Sequence, residues 1–88
     1  MDDQALLKRI SINPKICSGR PCIKGHRIMV EQILGLLASG VSPKEICTKW
    51  FSESNLTLDD IYACVAFANQ LVSNEEIHFA EELAASRK

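Results

Sequence analysis

Leu56-Thr57-Leu58-Asp59-Asp60-Ile61 carries most of the information about the fold. A hydroxyl residue, Thr57, is followed three positions later by an acid, Asp60, and the pair is bracketed by Leu56 and Ile61. This is the lettering of a helix start. The hydroxyl accepts from the third amide beyond it, the acid reaches back to the cap amide, and the flanking apolar side chains staple the entering chain. The same lettering stands at Val41-Ser42-Pro43-Lys44-Glu45-Ile46 and at Val72-Ser73-Asn74-Glu75-Glu76-Ile77. Asp60, being short, is expected to reach back less easily than Glu45 or Glu76. Pro43 falls at the first helical position, where its missing N–H costs nothing. The caps stand 15 and 16 residues apart, a spacing too short and too seldom repeated for a solenoid. They predict helices from Pro43 to about Phe51, from Leu58 to about Val72 and from Asn74 to about Ser86.

Working back toward the N-terminus, Val30, Ile33, Leu34 and Leu37 fall at i, i+3, i+4 and i+7, and Gly40 suits the left-handed residue that ends a helix. A helix from about Val30 to Ser39 follows. The next one is expected to bury Ile46, Cys47, Trp50 and Phe51, with Trp50 as a core anchor against the third helix. That third helix is apolar nearly all round through Ile61, Ala63, Cys64, Val65, Ala66, Phe67, Ala68 and Leu71, so it should be central, covered by the others or by a partner subunit. The last helix, residues 73–88, is a docking helix or a frayed tail.

Residues 1–29 read differently. A single helical turn can form in the first nine, after which Ile10-Ser11-Ile12 alternates and breaks at Asn13-Pro14. Ser18-Gly19-Arg20-Pro21 marks a second break, and Gly25-His26 a third before Arg27-Ile28. Short extended pieces punctuated by Gly19, Pro21 and Gly25 indicate a β-hairpin arm, with Arg20 or Arg27 tying its turn to backbone carbonyls or a carboxylate. A lone hairpin is marginal in water, so exchange with a second subunit would supply its missing packing. The expected architecture is mainly α in one domain of 88 residues. A β-arm precedes a three-helix core over residues 30–72, with helix-turn-helix or homeodomain-like geometry, and a C-terminal helix closes the chain.

A chain of 88 residues has room for one core, and most enzymes are larger, so a binding or regulatory role is favoured over catalysis. No apolar run spans a bilayer, and the acidic start Met1-Asp2-Asp3 is unlike a secretion signal. A cytoplasmic, non-membrane protein is expected. Cys17, Cys22, Cys47 and Cys64 then read as free thiols. Charge is split: residues 1–30 hold six bases against two acids, a net +4, whereas residues 31–88 hold four bases against nine acids, a net −5. A basic arm for an anionic partner, head-to-tail contact between subunits, or a merely solvated hairpin are all consistent with that division.

Three short helices suggest DNA binding, but the side chains do not. A recognition helix needs Arg, Lys, Asn or Gln toward the groove, and the third helix opens with Asp59 and Asp60 and has no base. Nucleic-acid contact would use Arg20, Lys24 and Arg27 of the arm instead, paired across two subunits as a β-ribbon. Cys17, Cys22 and His26 give C-x4-C-x3-H, with no fourth ligand at a recognisable spacing, so no metal is expected. No nucleophile signature, P-loop or dinucleotide fingerprint is present, so neither an enzyme nor a cofactor is expected.

Gly19-Arg20-Pro21-Cys22-Ile23-Lys24-Gly25-His26-Arg27-Ile28-Met29-Val30 resembles the G-[KR]-P-x-I-x-G-T-R-[IV]-x-V segment of domain-of-unknown-function family 433 of prokaryotes. The segments Gly40–Ile46 and Leu56–Ile61 stand where that family has its two helix starts, and the likeness covers about residues 10–72. Ser18 stands where a second glycine is frequent and His26 where threonine is usual, so no role of that threonine is carried over. The resemblance implies a homeodomain-like core with an N-terminal β-arm, and an antitoxin beside a PIN-like ribonuclease toxin. The acids Glu75, Glu76, Glu81 and Glu82 would then face the nuclease's basic cleft. The expected function is a dimeric, antitoxin-like regulator that binds such a toxin, with operator DNA as a further partner. The alternatives are a stand-alone DNA-binding transcriptional regulator using the basic arm, and a structural or adaptor domain.

Overall fold

The computed structural model describes residues 3–86, and side chains from residue 4 to residue 74. The elements run α1 (Asp3–Leu7), β1 (Ile10–Ser11), β2 (Cys22–Ile23), α2 (Val30–Ala38), α3 (Pro43–Glu45) and α4 (Leu58–Ser86). The chain is mainly helical, with one two-stranded antiparallel sheet near its N-terminus. β1 and β2 pair with Ile10 opposite Ile23 and Ser11 opposite Cys22. The return of the arm is a turn in which His26 donates its N–H to the Ile23 carbonyl at 2.9 Å, with Gly25 at φ +85°. Ile23 in turn donates to the Ile28 carbonyl and Val30 to that of Pro21, so the arm is stitched directly onto the start of α2.

Helix α2 begins where the Gln32 side chain accepts the Met29 amide at 2.8 Å. It ends in a paired closure: Gly40, at φ +94°, donates to Leu37, and Val41 donates to Leu36. These two hydrogen bonds cap the last carbonyls and turn the chain toward α3. Ser42 accepts from the Glu45 amide at 3.2 Å, and Pro43 opens α3 as its position demands. Glu45 reaches the Ser42 hydroxyl at 3.4 Å, not the amide behind it. Asp60 does what Glu45 does not. Its Oδ2 accepts the Thr57 N–H at 3.0 Å while Thr57 Oγ1 accepts the Asp60 N–H at 3.3 Å, so the reciprocal box is complete at the shorter acid.

Two expectations fail here. Trp50 is not a core anchor; it is 57% exposed. After Glu45 the helix widens into a π turn over Ile46–Trp50, closed by the Phe51 N–H to the Ile46 carbonyl. A wider turn advances fewer degrees per residue, so the 3.6-residue phase that aligned Trp50 with Ile46 is lost, and Phe51 packs against the core instead. The second correction concerns residues 73–88. Ser73 does not start a new helix; α4 runs unbroken from Leu58 to Ser86. No glycine or proline follows Pro43, so nothing in the chain obliges the helix to stop at Val72.

The core gathers Ile23, Ile28, Val30, Ile33, Ile46, Leu56, Ile61 and Cys64. A second cluster joins Leu6 of α1 to Ala63 and Ala66 of α4. Helix α4 is therefore central, with α1, β1, α2 and α3 all packed along its first half. The arm covers its own core, with Cys22 and Ile23 fully buried, so it needs no exchange with a second subunit to be covered. From Asn69 to Asn74 every side chain is exposed, and the helix there has left the body.

Candidate interaction surfaces

The basic arm places its three candidate cations in unequal circumstances. Arg20 donates to Glu31 at 2.5 Å, pairing the loop before β2 with the first turn of α2. Both partners are well exposed, so this pair is worth about 0–1 kcal/mol, and Arg20→Ala is expected to change stability by no more than that in a urea titration. Lys24 and Arg27 flank the Gly25-His26 turn with exposed side chains. Ile16, Gly25, His26 and Arg27 line a shallow depression of about 270 Å³ beside them.

Gly19 and Pro21 bracket Arg20. Gly19 closes a left-handed turn in which Cys17, Ser18 and Gly19 have φ of +53°, +55° and +81°. Two non-glycine residues in that region are unusual, and each costs on the order of 1–2 kcal/mol. Ser18 thus occupies a glycine-type conformation, which gives a physical reason for glycine at this position. The turn is held by the Arg20 N–H to the Cys17 carbonyl at 3.0 Å and by the Cys17 thiol donating to the Arg27 carbonyl at 3.5 Å.

Arg9 is the cation that sequence reasoning left without a role. Its Nη1 donates to Asp60 Oδ1 at 3.1 Å and its Nη2 lies 3.7 Å from Asp59. Asp60 is buried, so one carboxylate serves both as the cap of α4 and as the anchor of the arm. Residues 51 apart in sequence give no local sign of this contact. The acids that would otherwise sit at the open end of α4 are occupied by the chain's own arm.

The four cysteines are free thiols. Burial pushes the Cys22 thiol up from its ordinary range, its hydrogen bond with the Cys17 thiol and that neighbour's charge add to the effect, and Arg27 opposes it. Burial and then the Asp60 carboxylate raise Cys47. The same two causes push Cys64 from 9.0 up to about 12. Between those values the unfolded chain has released a proton that the folded chain still holds. Stability therefore falls as pH rises from about 9 to about 12, by up to about 1.4 kcal/mol per pH unit for this thiol. Urea midpoints measured from pH 8 to 11 should decline, and Cys64→Ala should flatten the decline. Among the described residues, Cys17, Cys22 and His26 are not gathered with other side chains into a metal-ligand set. The side chains of Glu75, Glu76, Glu81 and Glu82 lie outside the described residues.

The family profile described as Protein of unknown function (DUF433) matches residues 10–68, from β1 to the point where α4 leaves the body. The chain is a member of the DUF433 family. What the DUF433 profile spans is thus the packed unit: the arm with Arg20, Lys24 and Arg27, helices α2 and α3, and the buried half of α4. No curated protein and no solved structure matches this DUF433 chain. None of its helices is long and apolar enough to cross a membrane, among the described residues.

Proposed function

We propose that this DUF433 chain is a non-enzymatic, antitoxin-like regulatory protein of the cytoplasm that forms a homodimer and binds a PIN-like ribonuclease, with operator DNA as a second partner. The observation that carries this reading is the continuation of α4 past the body. From Asn69 to Asn74 the helix has exposed side chains, and its backbone runs on into the sequence that holds Glu75, Glu76, Glu81 and Glu82. A projecting helix with an acidic sequence is the shape and charge suited to a basic cleft on a partner.

The homeodomain-like reading of α2, α3 and α4 belongs to the same proposal. It does not carry base recognition by α4, because Asp59 and Asp60 at the head of that helix are negative and bound by Arg9. Phosphate contact falls to Lys24 and Arg27, whose exposed positions favour a second reading as a stand-alone DNA-binding regulator. Affinity capture of the tagged chain from its own host at moderate salt, with mass spectrometry and a nucleic-acid stain, separates these readings. A small nuclease recovered in stoichiometric amount supports the antitoxin-like function. Nucleic acid with no protein partner overturns it in favour of the DNA-binding regulator.

A further inference from the structure

Helix α4 is apolar on nearly every side, yet its own chain covers only part of it. Ile61 and Cys64 point into the main core, and Ala63 and Ala66 lie under α1. The uncovered arc carries Leu58, Tyr62, Val65, Asn69 and Val72, spaced 4, 3, 4 and 3 residues apart. The four apolar members are 45, 47, 44 and 63% exposed, and Asn69 is exposed among them. We infer that this seam is the interface at which two copies of the chain meet; the inference rests on the proposed homodimer and names its surface.

Three features commit the seam to a second copy. An apolar repeat averaging 3.5 residues keeps one narrow line of side chains in register with another helix, and is far narrower than the face a globular groove would cover. Asn69 is the fourth of the five, between Val65 and Val72, where an apolar groove would strand its amide. A two-fold axis beside it brings the Asn69 amide of each copy to the other, the arrangement in which a buried asparagine fixes register. Charge also permits the contact. None of the five seam residues is Asp, Glu, Lys, Arg or His, and the neighbouring Asp59 lies 3.7 Å from Arg9 of its own chain. Five residues make a small patch, below the roughly 600 Å² per partner at the lower edge of specific interfaces. A reversible dimer is the expected strength.

The test is the mass of the full chain in solution, by light scattering and sedimentation, from low micromolar up to about 1 mM, the weak end of specific association. The native chain is expected to approach twice its 9.8 kDa mass as concentration rises. Val65→Glu should weaken that association about tenfold or more, since the new charge would be buried unpaired. Val72→Glu, on the part of α4 beyond the body, should do the same, and it cannot disturb the core; unchanged far-ultraviolet circular dichroism checks the fold of both. A native chain that stays monomeric throughout overturns the inference. So does a dimer whose affinity neither substitution changes. The measurement uses no toxin or DNA, so its failure is separate from failure of the toxin-binding reading.

Discussion

Ile61→Ala is expected to cost about 2–5 kcal/mol, close to the whole stability of a domain this size. Ile61 is fully buried on the central helix, one position after Asp60 and within the cluster that joins Ile23 of the arm, Ile33 of α2 and Ile46 of the π turn. Each of those contacts belongs to a different element, so a cavity there cannot be filled by the movement of one of them alone. A urea titration followed by circular dichroism should show either a midpoint far below that of the native chain or no folded baseline at all. Val65→Ala, one turn further along the same helix but 44% exposed, should lie within about 0.5 kcal/mol of native. Comparable losses at both positions would mean that α4 does not present Ile61 inward and Val65 outward.

The second large effect is expected at Asp60. Its carboxylate completes the cap of α4 through the Thr57 amide and receives Arg9 from the arm. Asp60→Ala removes a cap worth about 1 kcal/mol and a charge-assisted bond worth about 1.5–3 kcal/mol. A total of about 2.5–4 kcal/mol would lower the melting temperature by roughly 10–30 °C. Arg9→Ala should cost somewhat less, about 1–3 kcal/mol, chiefly because it leaves a buried carboxylate without its cation. The double variant should be no worse than Asp60→Ala alone, and the shortfall from additivity measures the coupling of arm to core. Additive losses would show that the two residues act independently.

Much of this fold is legible in the sequence, because its signals are local. Thr57 with Asp60, Ser42 with Glu45, and Gly40 after Leu37 each specify hydrogen bonds within a few residues, and those bonds form, save that Glu45 reaches the Ser42 hydroxyl in place of its amide. The turn at Gly25 is of the same kind. What sequence reasoning missed depends on contacts or phases that neighbouring residues do not report. Trp50 is turned outward by one widened helical turn, a geometry with no lettering of its own. The lettering at Val72–Ile77 matches a helix start, but a helix already under way, without glycine or proline, absorbs it. Arg9 finds its carboxylates across the molecule, a contact that no local pattern reports. The carboxylate expected for Arg20 or Arg27 is there, on Glu31 of the next helix, and Arg20 is the one that takes it. The exposed seam on α4 was visible only as a surplus of apolar residues. The structure divides that surplus into a covered and an uncovered part.

The proposed restraint of a PIN-like ribonuclease by this DUF433 chain would be read in the activity of that enzyme. The nuclease captured from the host would be assayed on RNA with increasing amounts of the full chain. Cleavage is expected to fall to background near one equivalent of chain, and a fourfold replacement of Glu75, Glu76, Glu81 and Glu82 by Gln should restore it. RNA cleavage that proceeds at the same rate with a large excess of the chain would contradict the account.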